Sequence, residues 1–272
     1  MDRPPRLVGI VNITADSFSD GGRYLDPAAA IDCRRKLFAG GADIVELGAA
    51  ASNVDAAPVA PEEEIRRLAP VIDALSGERI PLAIDSFTPE AQRFALGRGV
   101  AFLNDIQGFP DFSFHAELAA ADCRLVVMHA VQGRGRARRL ELPPEAVWDS
   151  IDRFFTERIA ALVRAGVARE RLILDPGMGF FLSSRAEASL TVLARLDRLK
   201  QRFGLPLMIS VSRKSFLRAL TGRPATVEAG AATLAAELWA AAAGADYIRT
   251  HDPAALRDAL RVTAALRAAA SG

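Results

Sequence analysis

A single TIM (β/α)8 barrel spanning residues 1–272 is predicted by three observations. Eight short, β-rich apolar runs recur along the chain, and their starts are on average about 34 residues apart, the length of one βα unit. The runs are continuously apolar rather than alternating, as is typical of parallel strands buried on both faces. Helical patterns fill the intervals without a linker or a change in composition. A doubly wound sheet is the alternative, but it rarely carries eight evenly spaced units, and no GxGxxG motif follows the first strand.

These patterns give the elements in chain order. The predicted strands are Arg6–Thr14, Ala42–Gly48, Pro81–Ser86, Ala101–Gly108, Arg124–His129, Arg171–Gly177, Leu205–Ser212 and Ala245–His251. The predicted helices are Pro27–Ala39, Glu62–Leu75, Pro89–Gly97, Pro144–Ala165, Ser189–Phe203, Val227–Ala243 and Pro253–Ala270. The first helix shows the boundary signals most fully, because Asp26 can cap it, Pro27 suits its first position, and Gly40 with Gly41 ends it.

Composition excludes several classes of protein. The 272 residues include 34 Lys and Arg against 33 Asp and Glu, and the resulting net charge of +1 argues against binding to nucleic acid or to an anionic membrane surface. The arginine-rich segment Arg134–Arg139 is therefore interpreted as a solvated surface loop. The apolar stretch Ala229–Ala245 contains Glu237 and makes a poor membrane span. Cys33 and Cys123 show no disulfide or metal-site spacing, and no signal-peptide pattern is present, so a cytoplasmic protein is expected.

Polar residues at the strand ends form the candidate site, because the active site of a TIM barrel lies at the carboxyl ends of its strands. These ends carry Asn12, Glu46, Asp85, Asn104, Asp105, His129, Asp175, Ser212, Arg213, Lys214, Arg249 and His251. The carboxylates and the amide after strands three, four and six suit the edge of a nitrogen-rich heterocycle, and the cations after strands seven and eight suit a phosphate or diphosphate. Two long loops at the same rim, Thr14–Asp26 and Ala49–Pro61, are expected to close over a substrate.

Eight motifs in these segments resemble the dihydropteroate synthase family. They are GIVNITADSFSDGG (Gly9–Gly22), EEEIRRLAPVIDAL (Glu62–Leu75), IDSF (Ile84–Phe87), LNDIQG (Leu103–Gly108), MH (Met128–His129), ILDPGMGF (Ile173–Phe180), SRKSFL (Ser212–Leu217) and IRTHD (Ile248–Asp252). Together they cover nearly the whole chain in family order. The resemblance implies a TIM barrel enzyme that condenses 6-hydroxymethyl-7,8-dihydropterin diphosphate with para-aminobenzoate, giving 7,8-dihydropteroate and diphosphate in folate synthesis.

The resemblance also implies a role for each matching residue. The pterin would be held by Asp85, Asn104, Met128, Asp175, Phe180 and Lys214. The diphosphate would be bound by Asn12, Arg249 and His251, with Asn12 also coordinating Mg²⁺. The aminobenzoate would lie against Thr14, Ser17, Phe18, Ser52, Asn53 and Ser212. Catalysis would rest on Asp85, Asp175, Lys214 and Arg249, and the chain would form a homodimer. The position of Lys214 after the seventh strand would by itself place it against the phosphate or diphosphate. The resemblance instead places it against the pterin, as the corresponding lysine is in the family.

The second loop departs from the family pattern. The family reads G-G-E-S-T-R-P where this chain has GAAASNV at Gly48–Val54, so Asn53 replaces an arginine that helps to bind the anionic substrates. This loop, with DIQGFP (Asp105–Pro110) and GMGFFL (Gly177–Leu182), resembles the mobile, sulfonamide-insensitive branch of the family. We therefore expect an active, sulfonamide-tolerant enzyme whose aminobenzoate pocket is reshaped by added aromatic bulk. The alternatives are a non-catalytic pterin-binding homologue and a pterin-dependent methyltransferase.

Overall fold

Parallel strands close into a barrel in the computed structural model, which describes residues 4–14, 26–75, 77–78, 80–222 and 229–271. The strands are β1 (Arg6–Asn12), β2 (Ile44–Gly48), β3 (Leu82–Asp85), β4 (Phe102–Asp105), β5 (Arg124–Met128), β6 (Leu172–Asp175), β7 (Met208–Ile209) and β8 (Tyr247–Thr250). Their order is β6-β5-β4-β3-β2-β1-β8-β7. A parallel bridge between Leu174 and Leu207 joins β6 to β7 and completes the circle. The predicted barrel is confirmed.

Helices follow the strands and cover the outside of the barrel. They are α1 (Pro27–Ala39), α2 (Pro61–Leu75), α3 (Pro89–Leu96), α4 (His115–Ala120), α5 (Pro144–Arg164), α6 (Ala186–Leu193), α7 (Leu196–Phe203), α8 (Ser215–Thr221), α9 (Gly230–Ala242) and α10 (Pro253–Ser271). Single 3₁₀ turns occupy Phe112–Phe114, Arg169–Arg171 and Gly179–Phe181. Among the described residues, no helix is long and apolar enough to cross a membrane.

The helical prediction differs from the structure in two respects. The single helix expected over Ser189–Phe203 is broken between α6 and α7, where Arg195 has a non-helical backbone and the indole of Trp239 donates to the Leu193 carbonyl at 3.0 Å. The short helices α4 and α8 are absent from the sequence prediction, because six or seven residues give too little periodicity to recognise. The first residues expected for α9, from Val227, lie outside the described part of the chain.

The barrel interior is built in layers by the alternation of side chains along each strand. Its apolar floor contains one residue from every strand: Val8, Ile44, Ala83, Phe102, Val126, Ile173, Met208 and Tyr247. The next inward position lies two residues further along the chain, toward the carboxyl ends. Those positions hold Ile10, Glu46, Asp85, Asn104, Met128, Asp175, Ser210 and Arg249. An apolar floor is therefore followed by a predominantly polar layer, which is where the chemistry of a TIM barrel is expected.

Candidate active site

An ion-paired network spans the polar layer. Arg249, from β8, donates through Nε to Glu46 on β2 and through Nη2 to Asp85 on β3, the latter at 2.8 Å. Asn104, on β4, donates through Nδ2 to the second oxygen of Glu46 at 3.1 Å. Strand register explains part of this proximity, because Asp85 pairs directly with Asn104. Four side chains far apart in sequence are thus joined in one hydrogen-bonded cluster.

Burial sets the charge states in this cluster. It raises the pKa of Asp85 to about 7, because desolvation and the nearby carboxylate of Glu46 outweigh the attraction of Arg249. Burial works against the charge of Arg249 as well, but Glu46 and Asp85 hold its pKa above the ordinary value. The family resemblance assigns Arg249 to the diphosphate and Asp85 to the pterin. In the structure these two residues are each other's partners.

Asp175 and Lys214 form the second charged part of the site. The Asp175 carboxylate at the end of β6 accepts from the Gly177 amide at 2.8 Å, and burial raises its pKa to about 6. Gly177 has a φ of 73°, and a Cβ there would lie 2.4 Å from the His129 carbonyl, so this turn requires glycine. Lys214 is the other member, and burial together with Arg249 lowers its pKa to about 8. Asp175 and Lys214 are therefore oppositely charged at pH 7.

Apolar side chains border one side of the site. Met128 packs with Phe181 and Ala130, and Phe180 lies against the same cluster. The Lys214 ammonium is 5.0 Å from the centroid of the Phe181 ring. Phe109 does not belong to this border, since it is 1% exposed and its carbonyl accepts from His115 and Arg158 on the outer side of the barrel wall.

A cleft of about 280 Å³ opens at the rim above this layer. It is lined by six of the residues to which the family resemblance assigns a role, namely Asn53, Phe180, Ser212, Lys214, Arg249 and His251. The Ser212 hydroxyl lies 2.9 Å from Nδ1 of His251. Burial and three surrounding cations, Arg213, Arg249 and Lys214, hold the pKa of His251 well below its usual range. His251 is therefore a neutral hydrogen-bonding group at pH 7, rather than the cation that the sequence suggests.

The second loop is closed against the segment that follows β5. The Ser52 carbonyl accepts from the Ala137 amide at 3.0 Å, and Asn53 uses its own side-chain oxygen to accept from the Asp55 amide at 3.1 Å. Arg139 extends from the same segment to Asp55 at 3.2 Å, and its guanidinium lies 5.7 Å from the Phe180 ring centroid. The Arg139 side chain is 59% exposed, as expected of a solvated surface loop, and it also lines the cleft.

Two strand-end candidates have structural roles. His129 contacts the Pro176 carbonyl at 3.1 Å and the Ser150 hydroxyl at 2.9 Å, and burial lowers its pKa to about 4. Asp105 accepts from the side-chain amide of Gln92 and from the backbone amides of residues 107 and 109. Both side chains lie outside the cleft and form hydrogen bonds with the loops that follow the strands. The sequence pattern predicts His115 on the surface of a helix, but it is only 2% exposed and its Nε2 lies 2.8 Å from the Phe109 carbonyl.

Asn12 lies at the rim beside Gly48 and Asp85. A Cβ at Gly48 would be 3.9 Å from Asn12 Oδ1 and 4.0 Å from Asp85 Oδ2, so glycine leaves a space that both oxygens border. Thr14 is buried two residues further on. Ser17 and Phe18, predicted to contact the aminobenzoate, lie outside the described residues. Across the described parts of the chain, no group of three or more His, Cys, Asp and Glu side chains is arranged to hold a metal ion.

Sequence reasoning missed two features of the site. Glu46 is recognisable in the sequence only as a polar strand end, and its bonds to Arg249 and Asn104 depend on partners on strands β8 and β4. Arg139 and Arg218 line the cleft, although neither belongs to a strand end. The missing arginine of the second loop was the available signal that another cation should be sought nearby.

Comparison with known proteins agrees with this geometry. The sequence model of the pterin binding enzyme family matches residues 8–251. A dihydropteroate synthase type-2 from Escherichia coli is 60% identical over 268 residues, which cover 98% of each protein. The chain belongs to the dihydropteroate synthase family. A solved dihydropteroate synthase from Xanthomonas albilineans with 4-aminobenzoic acid superposes with a TM-score of 0.87 and 37% identity, covering 98% of this chain and 94% of the other.

A second solved structure of a dihydropteroate synthase also matches this chain. The Xanthomonas albilineans dihydropteroate synthase in complex with 7,8-dihydropteroate matches with a TM-score of 0.82 and 34% identity, again over 98% of this chain and 94% of the other.

Proposed function

We propose that this chain is a dihydropteroate synthase that joins 6-hydroxymethyl-7,8-dihydropterin diphosphate to para-aminobenzoate. The observation that carries the proposal is that hydrogen-bond acceptors and positively charged side chains lie next to each other in one site. Asn104 and Asp175 provide buried acceptors and Asp85 one that is 14% exposed, while Lys214 and Arg249 bring positive charge to the border between the polar layer and the cleft. Such a site suits a polar heterocycle that carries an anionic leaving group.

The residues favour a dissociative reaction. Ionised Asp85 and Asp175 stabilise the positive charge that develops on the pterin methylene as the bond to diphosphate breaks. Arg249 stabilises the departing anion, and neutral His251 donates a hydrogen bond to it. No general base is needed for the attack, since the amino group of an aniline is nucleophilic when neutral. Lys214, over the Phe181 ring, orients the pterin through its ammonium.

The oxygen donors present fit Mg²⁺ that is held mostly by the substrate. Mg²⁺ in phosphate sites typically takes one or two protein oxygens, with the remaining positions filled by phosphate and water. Asn12 Oδ1, bordering the space above Gly48, supplies one such oxygen. When bound, Mg²⁺ neutralises charge on the diphosphate and makes it a better leaving group.

Arg139 is proposed to replace the second-loop arginine as the cation for the aminobenzoate carboxylate. Changing Arg139 to alanine is expected to raise the KM for para-aminobenzoate about 10- to 100-fold, because a charge-assisted hydrogen bond contributes about 1.5–3 kcal/mol. The KM for the pterin diphosphate should change little. Initial rates measured over a matrix of both substrate concentrations separate the two values.

Arg138→Ala is the matched control, because Arg138 is an exposed arginine on the same segment that does not line the cleft. It removes the same charge from the loop and should leave both KM values near those of the unchanged protein. Equal KM values for para-aminobenzoate in the two variants would overturn the assignment of Arg139.

The rate should follow a bell-shaped pH profile. The pKa of Asp85 is about 7 and that of Asp175 about 6, so kcat/KM for the pterin substrate should fall as pH drops through these values and the carboxylates become protonated. The pKa of Lys214 is about 8, so the rate should fall again as pH rises through it and the ammonium loses its proton. Steady-state rates from about pH 5.5 to about 9.5 test this. A profile that is flat between about pH 6 and 8 would contradict it.

We further propose that the enzyme is insensitive to sulfonamides. The support is the cleft lining, where Phe180 lies beside Arg139 and Phe181, and the small-residue second loop is closed against the segment after β5. A cleft bordered in this way accepts a small planar carboxylate and excludes the ring-substituted sulfonyl group of a drug. Equal inhibition of this enzyme and a drug-sensitive relative by sulfamethoxazole would contradict the proposal.

A homodimer in the cytoplasm is also proposed, as expected from the resemblance. The supporting feature is a set of exposed apolar side chains on the last two helices, Trp239 on α9 with Val262 and Leu266 on α10, each more than half exposed. Sedimentation of the purified protein at micromolar concentration tests the dimer, and a monomer would contradict it.

Turnover distinguishes the proposed enzyme from its alternatives. A synthase forms 7,8-dihydropteroate from the two substrates, whereas a non-catalytic homologue binds the pterin without product, and a methyltransferase has no reaction with para-aminobenzoate. Chromatographic identification of 7,8-dihydropteroate, formed only when both substrates and Mg²⁺ are present, is the direct test.

A further inference from the structure

Glu46 is a buried carboxylate at the centre of the polar layer, and the mechanism above gives it no contact with substrate. It is 1% exposed, and both of its oxygens are used by residues of the site. Oε1 accepts from Arg249 Nε, and Oε2 accepts from Asn104 Nδ2 at 3.1 Å. One side chain therefore constrains a residue on the diphosphate side and a residue on the pterin side.

The contact with Glu46 fixes the orientation of the Asn104 amide. Because the NH₂ group is directed at a carboxylate, the side-chain oxygen must face the other way. A flipped amide would place Oδ1 against Oε2, so that two acceptors would oppose each other. In the described structure Asn104 Oδ1 is buried and has no hydrogen-bond partner. A buried acceptor without a partner is costly to retain, and in a binding layer it is suited to a donor on the ligand.

We propose that Glu46 is a positioning residue that makes Asn104 present an acceptor, and that the site thereby selects a heterocycle with an N–H donor at this point. The proposal rests on the proposed function, because it takes the ligand of Asn104 to be the pterin. The same carboxylate holds Nε of Arg249 and leaves Nη2 directed at Asp85. Glu46 thus orders the donor and acceptor pattern of the site without touching the substrate.

A double-variant cycle tests this proposal. It exchanges the carboxylate at position 46 with the amide at position 104, and the double variant keeps the native charge of the pair. In Glu46→Gln, the introduced side chain must present its oxygen to Arg249 Nε, so its NH₂ group faces Asn104. Asn104 then has to flip, and its own NH₂ faces the pterin donor. In Glu46→Gln combined with Asn104→Asp, the NH₂ of the introduced glutamine meets one oxygen of the introduced aspartate, whose second oxygen restores the acceptor. The total charge of the pair is unchanged from the native protein.

The measured quantity is the Kd of 6-hydroxymethyl-7,8-dihydropterin diphosphate, determined by calorimetry without para-aminobenzoate. Glu46→Gln should weaken binding about 10- to 100-fold. Asn104→Asp alone should weaken it similarly, because two carboxylates then oppose each other. The double variant should bind at least about tenfold more tightly than either single variant. Across the cycle, the KM for para-aminobenzoate should stay within about twofold of the native value. If the substitutions loosened the whole barrel, this KM would change as well.

Glu237→Gln is the matched control, since Glu237 is a 2% exposed carboxylate on α9 outside the polar layer. It should leave the Kd unchanged. If Glu46→Gln does not fold, the comparison of Asn104→Asp with the double variant still decides, because only the proposal expects the second change to improve binding. A double variant no tighter than Asn104→Asp would overturn the role of Glu46. Failure of the native protein to bind the pterin or to form product would instead overturn the proposed function.

Discussion

Replacing Asp175 by asparagine is expected to lower kcat about 10²- to 10³-fold, the range seen when one preorganised electrostatic group is removed from an active site. Asp175 is buried at the end of β6, with a pKa of about 6, and is therefore mainly ionised at pH 7. Asparagine keeps the shape and can still accept from the Gly177 amide, but it lacks the negative charge that stabilises the cationic pterin. The change should thus fall on kcat more than on binding. Single-turnover rates at saturating substrate measure it.

Asp152→Asn is the matched control for this prediction. Asp152 pairs with Arg202 between α5 and α7, and both side chains are about half exposed, so the same isosteric change there should leave kcat within about twofold. Thermal unfolding of both variants checks that each is folded. An Asp175→Asn variant with a native kcat would show that Asp175 does not act electrostatically.

Changing Phe180 to alanine is expected to lower the IC50 of sulfamethoxazole about 10- to 100-fold, because relieving a steric clash in a packed pocket recovers about 1–3 kcal/mol. Phe180 lines the cleft and lies beneath the Arg139 guanidinium, so its ring occupies space at the mouth. The KM for para-aminobenzoate should change less, since the smaller substrate already fits. Inhibition curves at a fixed ratio of para-aminobenzoate to its KM give the comparison.

Phe112→Ala is the control here, because Phe112 is 72% exposed and lies away from the cleft. It removes the same ring from the protein and should leave drug inhibition unchanged. An unaltered IC50 in Phe180→Ala would assign any drug tolerance to another part of the cleft.

The sequence predicts the barrel and the layer of strand-end residues well, and the reason is physical. Buried parallel strands must be continuously apolar, and a TIM barrel directs its polar strand ends to one face, so Asp85, Asn104, Asp175 and Arg249 could be located before any contact was known. Helix-capping residues are also predicted well from the sequence, because few side chains can accept from the free amides at the start of a helix. At the start of α1, the Asp26 side chain accepts from the Ala28 amide.

Features that depend on distant partners could not be predicted. The role of Glu46 requires Arg249, which is 203 positions away in sequence, and the ion pair of Arg139 requires Asp55, which is 84 positions away. The neutral state of His251 depends on cations that only the fold assembles. Phe109 follows a site motif in sequence, but its φ of 61° belongs to a turn that leads away from the cleft.

Diphosphate release is the measurement that tests the central claim most directly. Initial rates are recorded with the pterin diphosphate and Mg²⁺, with and without para-aminobenzoate, and then with sulfamethoxazole in excess over para-aminobenzoate. We expect release that depends on para-aminobenzoate, equals the amount of 7,8-dihydropteroate formed, and continues in the presence of the drug at concentrations that stop a drug-sensitive relative. Binding of the pterin without para-aminobenzoate-dependent release would contradict the assignment of this chain as an active dihydropteroate synthase.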